Sequence, residues 1–253
     1  MNQRAICLVI TSFTAFWGLH PISAQTTTIS FSDGAEGMVG PSGPGGATSI
    51  EPFGGNPNAN MRTVFNDFGI TFRNSTNPEF IDDYTQNSSI TLSIDTKVEA
   101  INFGSPVSRP WLVELRDFDN PPVGYPWVSV WYKFADISAS SHGNWTTFSV
   151  TIEDTSLTDL PTGWGGTGAE DPNTFEPILP ADRTFASVLA GVDEIVFTTL
   201  EPGFFFGFTD HDVRIDNVSI ARAGSAVPTT STWGVVVMTL LVLAVGTVAP
   251  LRT

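Results

Sequence analysis

Through the interior of the chain, apolar and β-branched residues recur in short runs separated by clusters of Gly, Pro, Asn and Asp. Helical spacing is almost absent. The runs predict strands at Thr27–Phe31, Gly69–Arg73, Ser89–Ile94, Val98–Phe103, Trp111–Asp117, Trp127–Phe134, Thr146–Ile152, Glu194–Thr199, Phe204–Phe208 and Val213–Ala221. That number of short strands predicts an all-β, two-sheet sandwich of the jelly-roll type. One helical turn is expected, at Thr184–Leu189. Gly34–Asn60 and Asp154–Pro180 are rich in turn formers and read as long loops, a length usually tied to function or mobility in a compact domain.

Alternation assigns faces. Phe148, Val150 and Ile152 share one face of a half-buried strand. In Trp127–Phe134, Val128, Val130, Tyr132 and Phe134 read as core. Trp127, Ser129, Trp131 and Lys133 form the opposite face and mix aromatic area with polar groups. Such a face suits sugar rings, whose C–H faces pack on Trp while hydroxyls find donors and acceptors. It also suits simple packing beneath a loop. Trp164, in the Gly-rich stretch Gly163–Gly166, is placed to close over it. In Val213–Ile220 the alternation slips: Val213 and Ile215 are in step, and Val218 and Ile220 have the other parity. A bulge at Asp216-Asn217 would keep all four in the core and re-aim Asp216; a strand that changes sheets would do the same.

The two ends read as addresses. Arg4, the apolar Ala5–Leu19 and Pro21-Ile22-Ser23-Ala24 compose a signal peptide cleaved after Ala24. At the other end, Trp233–Ala249 is long enough to span a bilayer near the lower limit, with Trp233 at one border and Arg252 beyond the other. The expected divisions are therefore a signal peptide (1–24), a β-sandwich (25–222), a linker with a short motif (223–232) and a hydrophobic tail (233–253). The single cysteine, Cys7, lies in the signal peptide, so disulfides cannot stabilise the body.

Charge narrows the partners. The body holds nine basic and 26 acidic residues. Such a surface disfavours nucleic acid and anionic lipid and is compatible with divalent cations and neutral polysaccharides. No nucleophile elbow, zinc-protease helix or phosphate loop occurs. His142 and His211 stand in loop-like surroundings, though His211 between Asp210 and Asp212 has the donors for a metal. Glycosidase chemistry needs two carboxylates at a set separation, and an acidic chain does not single out a pair. Asn-x-Ser/Thr sequons occur at Asn74, Asn87, Asn144 and Asn217, the last within an expected strand.

Val227-Pro228-Thr229-Thr230-Ser231-Thr232-Trp233-Gly234, followed by the apolar run and Arg252, resembles the bacterial C-terminal sorting tails of the PEP and IPTL type. The resemblance implies an exosortase-like sorting enzyme as partner, membrane tethering through the tail before any processing, and display at the cell envelope or in the extracellular matrix. In the body, Phe31–Gly37, Gly143–Val150, Phe185–Ile195 and Val213–Ile220 resemble the laminin-IV-type (laminin B) domain and, more broadly, the galactose-binding jelly rolls, with Met38 where that family has Trp. This implies a non-catalytic glycan-binding or adhesion module. It also implies a structural Ca²⁺ between first and last strands, with Asp33, Glu36 and Asp216 as ligands; turn chemistry accounts for the same residues. Asp210 and Asp212 form a second acidic pair. A purely structural envelope protein, or a polysaccharide hydrolase or lyase acting through Asp154–Pro180, are the alternatives.

Overall fold

The computed structural model describes Gln25–Gly224. The expected signal peptide and the sorting residues Val227, Pro228, Thr229, Trp233, Gly234 and Arg252 lie outside the described residues. Within them, no helix is long and apolar enough to cross a membrane.

The strands are β1 (Gln25–Ile29), β2 (Met38–Val39), β3 (Gly46–Gly55), β4 (Asn58–Asp67), β5 (Thr71–Asn74), β6 (Asn87–Asn102), β7 (Arg109–Asp117), β8 (Val128–Ile137), β9 (Thr146–Ile152), β10 (Trp164–Thr167), β11 (Ala169–Glu170), β12 (Pro177–Ile178), β13 (Glu194–Thr198) and β14 (Thr209–Gly224). Two short helices, α1 (Ala139–His142) and α2 (Phe185–Leu189), complete the described elements with a 3₁₀ turn at Tyr84–Gln86. One antiparallel sheet runs β3-β4-β14-β6-β9, with β1 also on β14; the second runs β10-β8-β7-β13-β5-β2. The expected two-sheet jelly-roll sandwich is the observed architecture.

The inner faces of the two sheets form one core. Leu92, Ile94, Val213 and Ile215 of the first sheet are fully buried with Phe72, Val113, Val130 and Phe197 of the second. Trp111 lies among them, its ring edge-on to Phe72 at 6.2 Å and 6.4 Å from Phe197. The expected turn at Thr184–Leu189 is α2, where Thr184 and Ser187 cap each other reciprocally and Phe185, Val188 and Leu189 are buried.

The slip in β14 is a bulge. Its register against β6 shifts between Asp216 and Ser219, Asn217 takes a left-handed φ of 46°, and Val213, Ile215, Val218 and Ile220 are all buried. Asn is among the few residues that tolerate this conformation. The bulge also marks a change of neighbour: residues before it pair with β4, and residues after it pair with β1. Asp216 turns inward and accepts from the Asn56 N–H at 2.6 Å and the Asn217 N–H at 2.7 Å. Burial raises its pKa, and nearby Asp95 adds to the rise. Asp95 in turn accepts from the side chains of Asn56, Asn217 and Thr147.

Three expectations are corrected. Most of Gly34–Asn60 is not a loop: β3 and β4 form a hairpin across it. β3 is an edge strand with no fully buried residue, so its pairing rests on backbone bonds and leaves no apolar alternation to read. Phe204–Phe208 is not a strand; Phe204 and Phe206 stack on each other, Phe206 meets Arg109, and Phe205 and Phe208 pack on Phe68. Ser89–Ile94 and Val98–Phe103 belong to one continuous strand, β6, because Asp95 and Thr96 pair across to both β14 and β9. Asp154–Pro180 is largely irregular and contributes β10, β11 and β12.

His211, on the inner side of β14, is buried. Burial holds its imidazole below the ordinary range, outweighing polar contacts with the Phe65 and Thr209 backbone, and the Arg109 guanidinium lowers it further. The native state therefore favours neutral His211, whereas the unfolded chain takes up a proton near pH 6.5, so stability is lost as pH falls through and below that value. Urea unfolding at pH 7.5 and pH 5.5 is expected to show a larger loss for the wild type than for His211→Leu. Equal losses would contradict this assignment.

Candidate functional site

The outer face of the second sheet carries the polar set expected from alternation. Cross-strand register places Trp131 beside Glu114 and Gly165, Ser129 beside Arg116 and Thr167, and Arg116 beside Glu194. Val128 and Val130 face the core and are fully buried. Tyr132 and Phe134 pack against it.

A charge network fixes this face. Arg116 donates to Glu114 at 2.7 Å and to Glu194 at 2.8 Å, and both carboxylates are about as inaccessible as core residues. Glu114 also accepts from the Ser129 hydroxyl at 2.6 Å and the Trp127 indole N–H at 3.1 Å. The Arg116 guanidinium lies 3.9 Å from the Trp127 ring centroid, a close cation–π contact. Lys133 bridges Asp136 at 2.9 Å and Glu201 at 3.0 Å. Burial alone would lower the Lys133 pKa, but these two carboxylates raise it.

Trp131 is the aromatic floor. A Cβ on Gly165 would lie 2.3 Å from its indole, so only glycine at that position lets the ring lie across the edge strand β10. Above it two loops form walls. The β11–β12 turn is held by Asp171, which accepts from the Asn173 and Thr174 N–H groups, and it presents Phe175 with a left-handed φ of 61°. The second wall is a turn closed by the Phe204 N–H on the Glu201 carbonyl at 3.1 Å. Its Gly203 sits so close to Pro177 that a Cβ would approach to 2.8 Å, which is where the walls meet. The result is a cleft of about 510 Å³ lined by Trp131, Thr174, Phe175, Glu176, Pro177 and the Pro202–Phe204 turn, within the size range of ligand pockets. Phe175 and Phe204 are 72 % and 67 % exposed. Beyond the cleft, Phe204 stacks with Phe206 at 6.4 Å, Phe206 lies over Arg109, and Phe68 contacts Phe205 and Phe208.

Of the sequence candidates, Trp131 lines the cleft, Ser129 is buried beneath the face in the Glu114 network, and Lys133 and Trp127 flank it in ion-pair and stacking contacts. Trp164 is not on this face. It pairs with Tyr132, points inward and packs on Tyr132 and Phe185 at 5.6 and 5.2 Å. The β10 register explains the correction, because it gives the outward position to Gly165. Phe175, Phe204, Glu114, Arg116 and Glu194 were not singled out from sequence. Alternation with Val113 and Leu115 would have found Glu114 and Arg116.

The expected calcium set of Asp33, Glu36 and Asp216 does not bring three ligand oxygens together; among the described residues Asp117, Asp119 and Asp193 do so, within 4.8 Å of one another. Both oxygens of Asp216 instead accept backbone N–H groups. Glu36 has a raised pKa, chiefly from burial and also from neighbouring Asp33. At the observed cluster, burial raises the Asp117 pKa; the Asp119 N–H, donating at 2.7 Å, and Arg183 at 3.2 Å oppose the rise, and the Asp119 and Asp193 carboxylates add to it. Asp210 accepts from Asn66 and Asp212 from Arg62, so neither faces His211 as a metal partner.

No family model matches the chain, and no curated protein matches it. Among solved structures it is similar to the CBM22-1–GH10 modules of a Clostridium thermocellum endo-1,4-β-D-xylanase complexed with xylohexaose, at 15 % identity and a TM-score of 0.41, covering 81 % of this chain and 29 % of that one. It is also similar to a family 11 carbohydrate-binding module of a Clostridium thermocellum cellulosomal cellulase, at 14 % identity and a TM-score of 0.45, covering 80 % of this chain and 96 % of that one. A third is the CBM22-1–CBM22-2 tandem domain of Paenibacillus barcinonensis Xyn10C, at 11 % identity and a TM-score of 0.49, covering 82 % and 51 %.

Removing one member of a buried ion pair strands the other, which typically costs about 3–5 kcal/mol. Arg116 keeps Glu194 when Glu114 is lost, so Glu114→Ala is expected near the lower end, about 3 kcal/mol by urea unfolding. A loss below about 0.5 kcal/mol, the size of an ordinary surface substitution, would show that the network does not hold this face.

Proposed function

We propose that this chain is an exported, non-catalytic surface or matrix module that binds polysaccharide through the Trp131 cleft. The carrying observation is the cleft itself: a flat indole floor between two exposed phenylalanines on the outer face of a rigid sheet. Aromatic rings in this arrangement offer apolar faces to sugar C–H groups. Trp127, Ser129 and Lys133 support the floor, and Trp164 anchors β10 from the core side. The similarity of the fold to carbohydrate-binding modules accords with this reading without assigning it.

The carboxylates argue for binding over turnover. Hydrolysis of a glycoside asks for a free acid and a free base or nucleophile across the bond. Glu114 and Glu194 are both held by Arg116, and Glu201 by Lys133. Glu176 is the one carboxylate among the residues lining the cleft. Export follows from the N-terminal signal in the sequence. Display by an exosortase-like enzyme, with transient membrane tethering, follows from the resemblance of Val227–Arg252 to sorting tails.

Calcium has a place in this reading at Asp117, Asp119 and Asp193. Their three oxygens lie within 4.8 Å of one another, and a cation there would compete with Arg183 and the Asp119 N–H for Asp117. A ligand bound only by the native state raises its melting temperature. Millimolar Ca²⁺ is expected to raise it for the wild type and not for Asp193→Asn; no rise in the wild type removes calcium from the account.

The principal test is retention of the full-length chain, in mild detergent, on a panel of immobilised polysaccharides. Retention on at least one is expected, with a loss of tenfold or more in affinity for Trp131→Ala, equivalent to about 1.4 kcal/mol. An unretained wild type would leave the structural-protein reading in its place, and release of reducing ends would replace it with an enzyme.

A further inference from the structure

We infer that the ligand of the cleft is an uncharged polysaccharide and that polyuronates and sulfated glycans are excluded. This rests on the glycan reading above and goes further by assigning the chemical class.

Anionic sugars are recognised by cations free to make charge-assisted hydrogen bonds, most often in a bidentate arrangement. The outer face has cations, but those beside the cleft are paired among the described residues. Arg116 spans Glu114 and Glu194 with both terminal nitrogens and stacks on Trp127. Lys133 is shared between Asp136 and Glu201. Arg73 is half exposed and only within 4.0 Å of Glu194, but it stands on β5, three strands from β8 and the Trp131 cleft. No Lys, Arg or His lines the cleft, and its one ionisable lining residue is Glu176.

A sugar carboxylate entering the cleft would therefore meet Glu176 without a compensating cation. Recruiting Arg116 would leave Glu114 or Glu194 buried and unpaired, which costs more than a solvated sugar carboxylate returns. Recruiting Lys133 would release Glu201, whose side chain is only 14 % exposed. The chain's formal charge of −15 opposes any polyanion at longer range. An uncharged chain meets none of these penalties. Its rings find Trp131, Phe175 and Phe204, and its hydroxyls find Glu176 and Thr174.

Binding of this kind releases no counterions and depends little on ionic strength. The test uses the full-length chain in mild detergent, with Trp131→Ala as the control for the cleft. The probes are xylan, mannan and mixed-linkage β-glucan as uncharged polymers, and polygalacturonate and alginate as polyuronates, with affinity measured at about 50 and about 500 mM NaCl, which shortens the screening length roughly threefold. Expected is Trp131-dependent retention on at least one uncharged polymer, changing less than about twofold between the two salts, and none on the polyuronates. Trp131-dependent retention on a polyuronate would overturn the charge assignment and leave the glycan reading standing. No retention on any probe, charged or uncharged, would overturn both.

Discussion

The arrangement of the cleft depends on one guanidinium. Arg116 projects from a central strand onto the outer face of the sheet, where the Trp127 ring covers it, and Glu114 of the same strand and Glu194 of the neighbouring β13 project beside it. Charges in such a place persist only when paired and hydrogen-bonded. The pairing satisfied, the same contacts set the positions of their neighbours: Glu114 holds the Trp127 N–H and the Ser129 hydroxyl, and Arg116 holds the Trp127 ring. Trp131 sits directly across from Glu114 on this fixed lattice. The network that fixes the face also occupies the charges beside the cleft, leaving aromatic area as what the cleft offers a ligand.

The scaffold below is organised by a second constraint, the bulge at Asp216-Asn217. It keeps four apolar residues of β14 in the core although their spacing breaks alternation, and it lets one long strand pair with β4 along its first part and with β1 along its second. Consequently Gln25 lies opposite Arg222, so the first strand starts beside the end of the last. The Phe-rich turn that walls the cleft enters β14 at its other end. Sixteen residues of extended chain span about 50 Å at about 3.3 Å per residue.

The fold was legible in the sequence wherever a strand had one buried face. Thr146–Ile152 and the slip in Val213–Ile220 could be read residue by residue, because apolar positions mark the core side directly. The hairpin β3–β4 was obscured: its edge strand buries nothing completely, and Gly, Pro and Asn dominate its sequence. The run Phe204–Phe208 looked like a strand because aromatic residues favour strands, yet its rings find partners in Phe68, Phe206 and Arg109 instead of a ladder. At the site, alternation found the outer face of β8 with Trp131 on it. It could not find Phe175 or Phe204, which come from turns distant in sequence and meet Trp131 only through the touch of Gly203 on Pro177. Trp164 misled for the opposite reason: its glycine-rich surroundings suggested a mobile lid, whereas the neighbouring Gly165 is the outward residue and makes room for Trp131.

The central claim, that recognition occurs on the Trp131 floor, is tested most directly by the indole N–H resonances of ¹⁵N-labelled protein titrated with an oligosaccharide of whichever polymer retains it. The account predicts a saturable shift of the Trp131 resonance, with those of core Trp111 and Trp164 unmoved. A shift confined to other tryptophans, with Trp131 unchanged at saturation, would contradict it.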